Sequence, residues 1–333
     1  MTVLNVPLID ISAFDSHDEP TRRGLVERVA AACRDIGFLT ITGTGVSGDS
    51  VAAVVAECRR FFDLDLALKL AAGRPQPDHI RGYSGMGTEA LSQLEKEAAP
   101  PDLKELFDVG PFDLPSDDPY FAPENAGASF ASNVWPEKAP GLRPAMCEYF
   151  TAMDALAHKM THIFAAALDL TETYFDDKTD RHISILRANY YPKQMTPPLP
   201  KQLRGGGHTD YTAFTILWQE AVVGGGLQVR NMNGDWVDVP AVPDSFVVNI
   251  GDSLARWTND TWVSTMHRVV NPPPDIAAEV DRLSLVFFFQ PNYDAIIECI
   301  STCQGPDRPA KYAPVPNGEF LAEKFAEQQI ANA

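Results

Sequence analysis

The sequence has no run of about 18 uncharged apolar residues, the length that a membrane-spanning helix needs. Its first residues, MTVLNVPLIDISAF, also lack the basic segment and the small-residue cleavage site of a secretory signal. From these two absences we expect a cytoplasmic protein that does not act at a membrane. Hydrophobic residues make up 45% of the chain, which is enough to build a packed core.

Basic residues are scarce: 27 Lys and Arg stand against 45 Asp and Glu, giving a formal charge of −18. Nucleic-acid binding depends on cationic side chains that neutralise phosphates, so this charge argues against a nucleic-acid partner. The acidic excess is typical of a surface that keeps a protein soluble, and we expect a monomer or a weakly associated oligomer.

Cysteines are also few, and their odd number and wide spacing do not suggest a disulfide framework. We expect free thiols in a reducing compartment. A lone CxxxC pair without a second pair is only a weak metal signal. The five cysteines are Cys33, Cys58, Cys147, Cys299 and Cys303, and the last two form the CxxxC pair.

The first half of the chain predicts helices with little strand. Residues 20–37 and 50–64 have apolar positions at helical spacing, and FLTIT between them predicts a short strand. Residues 73–140 are rich in Pro, Gly and Asp and predict loops with short elements. A long helix with one apolar face, a buried brace for the fold, is predicted from Met146, Tyr149, Phe150, Met153, Leu156, Met160, Ile163, Phe164 and Ala167.

After Arg181 the pattern changes to short β-branched or aromatic segments separated by Gly, Pro, Asn or Asp. Several such segments without helical patterns between them predict an antiparallel jelly roll or barrel, and thus an α+β protein. We divide the chain, as one compact unit, into residues 1–110 (helices and strand), 111–180 (loops and the long helix), 181–300 (jelly-roll core) and 301–333 (tail).

Two patterns resemble functional motifs but lack the rest of them. GTGVSG at 43–48 matches a dinucleotide fingerprint, but the sequence after it does not predict the second parallel strand, so we expect a tight strand-to-helix turn. His158 and His162 have the spacing of a zinc protease, but HKMTH lacks the glutamate, so we expect rim histidines. We expect surface or loop positions for His17, His79 and His182.

The segment GGGHTDYTAFTIL places His208 and Asp210 two residues apart at the start of a predicted strand. Because side chains alternate along a strand, both would project to the same side and could hold one ion. His267, in STMHRVVNPP, starts another predicted strand and offers a third ligand. Two histidines and one carboxylate with open positions suit a non-haem Fe(II) site.

Arg282 and Ser284 share one face of the next predicted strand, RLSLVFFF, in an otherwise apolar setting. A buried arginine needs an anion, and its planar fork binds carboxylates well. A bound carboxylate ligand and an internal ion pair with Asp or Glu are both open at this point.

With these residues the sequence resembles the iron- and 2-oxoglutarate-dependent dioxygenases of the isopenicillin N synthase-like type, which include plant and bacterial biosynthetic enzymes. The similarity spans nearly the whole chain. It departs at Gly43-Thr44, where relatives usually carry Asn-His. The matching segments are VPLIDIS, CRDIGFLTITGTGV, RGYSGMG, LKELFDVG, RANYYP, GGLQV, HTD, VVNIGDSLARWTND, HRVVNPP and RLSLVFFFQPN.

The resemblance implies a double-stranded β-helix core in which His208, Asp210 and His267 bind Fe(II). It further implies that Arg282 and Ser284, with Tyr191 and Asn189, bind the cosubstrate 2-oxoglutarate. Such an enzyme reacts with O₂, converts 2-oxoglutarate to succinate and CO₂, and hydroxylates, desaturates or cyclises a small molecule, here expected in secondary metabolism.

For the substrate pocket the resemblance suggests Phe288, and the loops RGYSGMG and LKELFDVG suggest Arg81, Tyr83 and Phe107. Two alternatives remain open. One is an oxidase that uses no 2-oxo acid, as isopenicillin N synthase does, and the other is a non-catalytic binder of the same fold.

Overall fold

The computed structural model describes residues 6–91, 100–222 and 224–331, in which the predicted strand segments pair almost entirely antiparallel. The strands are β1 (Leu8–Asp10), β2 (Phe38–Thr42), β3 (Gly82–Ser84), β4 (Glu105–Val109), β5 (Ile185–Tyr191), β6 (Gly205–His208), β7 (Phe214–Gln219), β8 (Gly226–Arg230), β9 (Trp236–Asp238), β10 (Phe246–Ile250), β11 (His267–Val270), β12 (Arg282–Phe289), β13 (Ile296–Ile297) and β14 (Val315–Pro316). The helices are α1 (Glu19–Asp35), α2 (Gly48–Phe62), α3 (Leu66–Leu70), α4 (Pro123–Ala126), α5 (Leu142–Ala167), α6 (Asp176–Thr179), α7 (Asp252–Trp257) and α8 (Asn317–Ala331).

Two sheets form the core of the fold. The larger has the strand order β1-β2-β10-β7-β12-β5-β4-β3, and the smaller has the order β6-β11-β8-β9. Both sheets contribute side chains to one cavity. The predicted α+β class with a jelly-roll core is confirmed.

Strand β12 shows how the sequence positions this cavity. It pairs with β5 on one side and β7 on the other, so its backbone groups are satisfied along both edges. Side chains of a strand alternate between its two faces. The odd-numbered set packs into the core that includes α5 and consists of Leu283, Leu285, Phe287 and Phe289. The even-numbered set lines the cavity and runs from Arg282 through Ser284 and Val286 to Phe288 and Gln290.

Helix α5 is the predicted buried brace. Its apolar face packs on the larger sheet, with the Phe150 ring centroid 5.0 Å from that of Phe287 and the Phe164 centroid 5.1 Å from that of Phe214. Helices α1 and α2 pack against α5 in turn. Burying large aromatic side chains in this way stabilises the fold, since truncating one to alanine costs roughly 3–5 kcal/mol.

The segments RGYSGMG and LKELFDVG contain strands rather than loops over the cavity. β4 pairs with β5, and β3 pairs with β4 as the outermost strand of the larger sheet. At the other edge, β1 and β2 extend the sheet next to β10. The N-terminal half therefore supplies sheet as well as bracing helices.

The glycine-rich segment at 43–48 is a turn between β2 and α2, as predicted from the sequence. Gly43 has φ +66°, and a Cβ added there would lie 2.0 Å from Oδ1 of Asp10. Only glycine fits this left-handed position without displacing its neighbour.

The histidines of α5 are about one-third exposed, and each lies close to a carboxylate. Nδ1 of His158 lies 3.3 Å from Oδ1 of Asp154, and Nε2 of His162 lies 2.9 Å from Oδ1 of Asp176. A hydrogen bond to Asp154 raises the pKa of His158. His182, expected as a simple surface or loop residue, also contacts Asp154, at 2.9 Å, and is mostly buried. Within the described ranges, none of the helices is both long and apolar enough to cross a membrane.

Candidate metal and cosubstrate site

The structure brings together His208, Asp210 and His267. β6 and β11 are neighbours, and their register places His208 directly opposite His267. Nε2 of each histidine lies 3.6 Å from Oδ1 of Asp210, and one ligand atom from each residue lies within 4.8 Å of the other two.

The local path of the chain at Asp210 differs from the prediction. The HTD segment does not open a strand: β6 ends at His208, and Asp210 lies in the connection to β7. There the carbonyl of Asp210 accepts a 2.7 Å hydrogen bond from the backbone N–H of Asp252, the first residue of α7. The shared orientation of His208 and Asp210 thus depends on a tertiary contact rather than on strand alternation.

We refer to His208, Asp210 and His267 as the metal trio. Hydrogen bonds around the trio leave one ligand atom of each residue free to face a shared ion. Nδ1 of His208 lies 2.8 Å from the carbonyl of Gly206, and Nδ1 of His267 lies 3.1 Å from the carbonyl of Thr265. A carbonyl can only accept, so both Nδ1 atoms carry the proton and both Nε2 atoms have a free lone pair.

The carboxylate of Asp210 is fixed in the same way. Its Oδ2 accepts hydrogen bonds from Oγ1 of Thr215 at 2.6 Å and from Nδ2 of Asn249 at 2.7 Å. Oδ1 is the oxygen that faces the two histidines. Sequence reasoning did not single out Thr215 or Asn249, although both lie on strands that border this site.

Electrostatics keeps this ligand set in its metal-binding form. Burial and the neighbouring His267 lower the pKa of His208 to about 3, so its imidazole is neutral. Burial alone would raise the pKa of Asp210, but the two histidines and the bonds from Asn249 and Thr215 lower it. Two neutral imidazoles and one carboxylate, with the remaining positions open to the cavity, fit non-haem Fe(II).

The cavity next to the trio has a volume of about 500 Å³ and contains the predicted cosubstrate residues. Arg282 is 1% exposed and lies opposite Tyr191 in the β12–β5 ladder, as Ser284 lies opposite Asn189. All four side chains line the cavity.

The guanidinium of Arg282 is only partly satisfied. Nη2 donates to Oε1 of Gln219 at 3.0 Å, whereas Nε and Nη1 are buried without a hydrogen-bond partner. No Asp or Glu of the described part of the chain forms an ion pair with it, which argues against the internal ion pair considered above. Burial lowers the pKa of Arg282 because it disfavours the charged guanidinium. An anion bound in the cavity would offset this desolvation cost.

On the side of Val286 away from Ser284, the cations of the cavity wall are paired with acidic side chains. Arg187 on β5 makes two contacts with Asp108, at 2.7 and 3.1 Å, and two with Glu89, at 3.0 and 3.3 Å. Nζ of Lys104 lies 3.0 Å from Glu89, and Arg74 lies 3.6 Å from Asp108. Burial alone would raise the pKa of Glu89, but Arg187 and Lys104 lower it. Unlike Arg282, these cations all have acidic partners.

Phe288 lines this part of the cavity, and the Arg187 guanidinium lies 5.6 Å from its ring centroid. Leu321 and Phe325 of α8 also line the cavity. Helix α8, within the segment that the sequence analysis set apart as residues 301–333, therefore contributes to the cavity wall. The sequence reasoning missed this contribution because neither residue belongs to a recognisable motif.

Arg81, Tyr83 and Phe107 do not line the cavity, contrary to expectation. Tyr83 and Phe107 pack with Phe61 in the hydrophobic core, because β3 and β4 direct them toward α2. Arg81 is 1% exposed, and its guanidinium donates to backbone carbonyls, among them that of Ala131 at 3.0 Å. Its hydrogen bonds tie it to the chain at Ser129 and Ala131.

Comparisons with known proteins agree with this geometry. Residues 182–291 match the family described as the 2OG-Fe(II) oxygenase superfamily, and residues 6–138 match the N-terminal family of the non-haem dioxygenase in morphine synthesis. A 2-oxoglutarate-Fe(II) type oxidoreductase of Aspergillus fumigatus is 34% identical, covering 95% of this chain and 91% of the relative. Proline hydroxylase buaE of Petromyces alliaceus is 31% identical, covering 93% and 94%.

Solved structures give the same result. A full-length Neurospora crassa protein crystallised in complex with alpha-KG has a TM-score of 0.83 and 32% identity, covering 96% of this chain and 95% of that one. The complex of the same Neurospora protein with alpha-KG and thymine has a TM-score of 0.82 and 31% identity, covering 96% of each. The double-stranded β-helix, the Fe(II) and 2-oxoglutarate cofactors and the enzyme class are thereby confirmed. The chain belongs to the 2-oxoglutarate–Fe(II) oxygenase superfamily and is a 2-oxoglutarate-dependent dioxygenase.

Proposed function

We propose that this enzyme oxidises a C–H bond of a compact, uncharged small molecule of secondary metabolism, with iron held by His208, Asp210 and His267. The observation that carries the proposal is the buried, half-satisfied guanidinium of Arg282 in the same cavity as the trio. When bound there, iron and 2-oxoglutarate would react with O₂ to supply an oxidant able to take a hydrogen atom from an unactivated carbon. The residues of the chain orient both reactants and exclude water.

Arg282 binds the distal carboxylate of 2-oxoglutarate in this proposal, because its guanidinium has no acidic partner among the described residues and two of its nitrogens, Nε and Nη1, lack a hydrogen-bond partner. Ser284 and Tyr191, which flank it on β12 and β5, add hydroxyl groups to the same end of the cavity. Asn189 lies two residues before Tyr191 on β5, and its buried Oδ1 has no partner, which supports a role near the other end of the cosubstrate.

The proposed lack of charge on the substrate follows from the wall beyond Val286. Arg187 and Lys104 are both ion-paired there, and Arg187 is held by two acids. A charged substrate group would lose its hydration without gaining a buried, free counter-ion among the described residues, because Asp78, the lining acid without a lysine or arginine partner, is 76% exposed. The ring of Phe288 instead offers a flat apolar surface, which favours a ring-containing substrate.

Turnover assays can test the proposed function. Protein supplied with Fe(II), ascorbate and 2-oxoglutarate should release succinate when one of a panel of uncharged ring compounds is present. Charged analogues of the active compound, carrying an added carboxylate or ammonium, should stimulate far less release. Succinate release with charged analogues but with none of the uncharged compounds would contradict the proposed substrate class, although not the enzyme class.

Phe288→Ala should weaken substrate binding or change the product distribution while leaving the Michaelis constant for 2-oxoglutarate within about twofold. The ring lies on the substrate side of Val286, which separates it from Ser284 and the cosubstrate end of the cavity. Aromatic contacts contribute about 0.5–1.5 kcal/mol beyond area burial, so a substrate effect of severalfold or more is expected. Phe287→Ala, on the opposite face of β12, is the matched control. It should lower thermal stability without this selective change, and a Phe288 variant with only that defect would make Phe288 a core residue.

A further inference from the structure

A second buried guanidinium lies next to the Arg282 site. Arg204 immediately precedes β6 and is 0% exposed. Its Nη2 donates to the carbonyl of Val280 at 2.6 Å, whereas Nε and Nη1 have no hydrogen-bond partner. The Arg204 guanidinium carbon lies 6.0 Å from the ring centroid of Tyr191, and that of Arg282 lies 5.1 Å from it. Both cations therefore contact the same aromatic ring.

This arrangement is costly unless an anion binds nearby. Arg204 forms no ion pair with any acid in the described part of the chain, and neither does Arg282. Burial and the positive charge of Arg282 lower the pKa of Arg204 to about 10. Two like charges removed from water beside one ring repel each other, and the contact with an aromatic face offsets only part of that cost.

We propose that Arg204 is a positioning residue for cosubstrate binding, so that Arg204 and Arg282 together form a two-cation site for the distal carboxylate. This inference rests on the proposed role of Arg282. Arg204 does not line the cavity, so it acts through Tyr191 and through its field rather than by direct contact. Its bond to Val280 anchors it to the chain two residues before Arg282, which fixes the spacing of the two cations.

The expected energetic effect is specific to a ligand with a second carboxylate. A charge several ångströms away still attracts an anion in a buried site, where the effective dielectric constant is about 20. Removing the Arg204 charge should therefore weaken 2-oxoglutarate binding by roughly five- to twentyfold. A 2-oxo acid of the same length without the distal carboxylate, 2-oxopentanoate, should lose no more than about twofold.

The test is anaerobic calorimetry of both 2-oxo acids with Fe(II)-loaded wild type, Arg204→Gln and Arg204→Lys. Arg204→Gln should lower the preference for 2-oxoglutarate over 2-oxopentanoate, and Arg204→Lys should restore most of it because the charge is retained. Arg256→Gln is the matched control: that guanidinium also donates to one carbonyl, of Ala313, and lies 4.9 Å from the ring centroid of Tyr312. It should leave the preference unchanged.

Equal losses for both ligands in Arg204→Gln, or a loss of thermal stability alone, would show a structural role and overturn the inference. If Arg204→Gln does not fold, Arg204→Lys decides: the preference should stay within about threefold of wild type, and a larger loss would overturn the charge-based role. A wild type with no preference for 2-oxoglutarate would contradict the proposed role of Arg282 itself. A wild-type preference that Arg204→Gln leaves intact would contradict only the role of Arg204.

Discussion

Replacing His267 with alanine is expected to abolish oxoglutarate-dependent turnover and stoichiometric iron binding while leaving the protein folded. Among the described residues, His267 supplies one of the three ligand atoms that face one another, and its Nε2 is held in place by the bond from Nδ1 to Thr265. Loss of residues that merely orient a metal ligand costs 10- to 100-fold, so loss of the ligand itself should cost at least about a hundredfold. His208→Ala and Asp210→Ala should behave alike.

The fold should survive these substitutions because the strands around the trio are held by other contacts. β11 pairs with β8 as well as with β6, and the apolar side chains of β8 belong to a separate buried cluster. Metal content, circular dichroism and succinate release are measured together. His182→Ala is the matched control, since that mostly buried histidine contacts Asp154 at 2.9 Å and should keep iron and turnover. A His267 variant with one iron per chain and a near wild-type rate would remove His267 from the ligand set.

The cosubstrate and substrate residues that the sequence located correctly lie where a two-residue period could be followed. Along β12 this period leads from Arg282 through Ser284 to Phe288, and the structure places all three on the cavity wall. The same period on β5, counted back from Tyr191 and Asn189, leads to Arg187. Arg187 was missed although the signal was present in the sequence.

Other features could not be read from local patterns. Asp210 faces His208 because a turn is held by α7, and nothing in HTD itself encodes that contact. The strands β3 and β4 are short and bordered by Gly or Pro, so only their pairing with β5 makes them part of the sheet. Helix α8 reaches the cavity from the far end of the chain, a tertiary arrangement that periodicity does not report.

The two ends of the cavity differ most in how their cations are satisfied, and this difference separates cosubstrate from substrate. Arg187 meets two acids, whereas Arg282 meets one neutral amide, that of Gln219. A buried guanidinium with unused N–H donors favours binding of a carboxylate ligand. A guanidinium whose donors already bind acidic side chains does not. The sequence pattern alone would not have distinguished these roles. Arg187 and Arg282 both lie on strands whose alternate side chains line the cavity, and only the structure shows which of them is already paired with acids.

Arg282→Gln is expected to weaken 2-oxoglutarate binding by roughly ten- to more than a hundredfold, because a charge-assisted hydrogen bond contributes about 1.5–3 kcal/mol. Arg282→Lys should restore binding only in part, since lysine cannot present two parallel donors to a carboxylate. Iron binding should be unaffected, because no bond that orients the metal trio comes from Arg282. The measurements are the Michaelis constant for 2-oxoglutarate and its dissociation constant under anaerobic conditions. Arg81→Gln, which removes a buried guanidinium bonded to backbone carbonyls, should lower stability without changing either constant. Wild-type turnover that continues equally well without any 2-oxo acid would contradict this role, and Arg282 would then hold a carboxylate of the substrate.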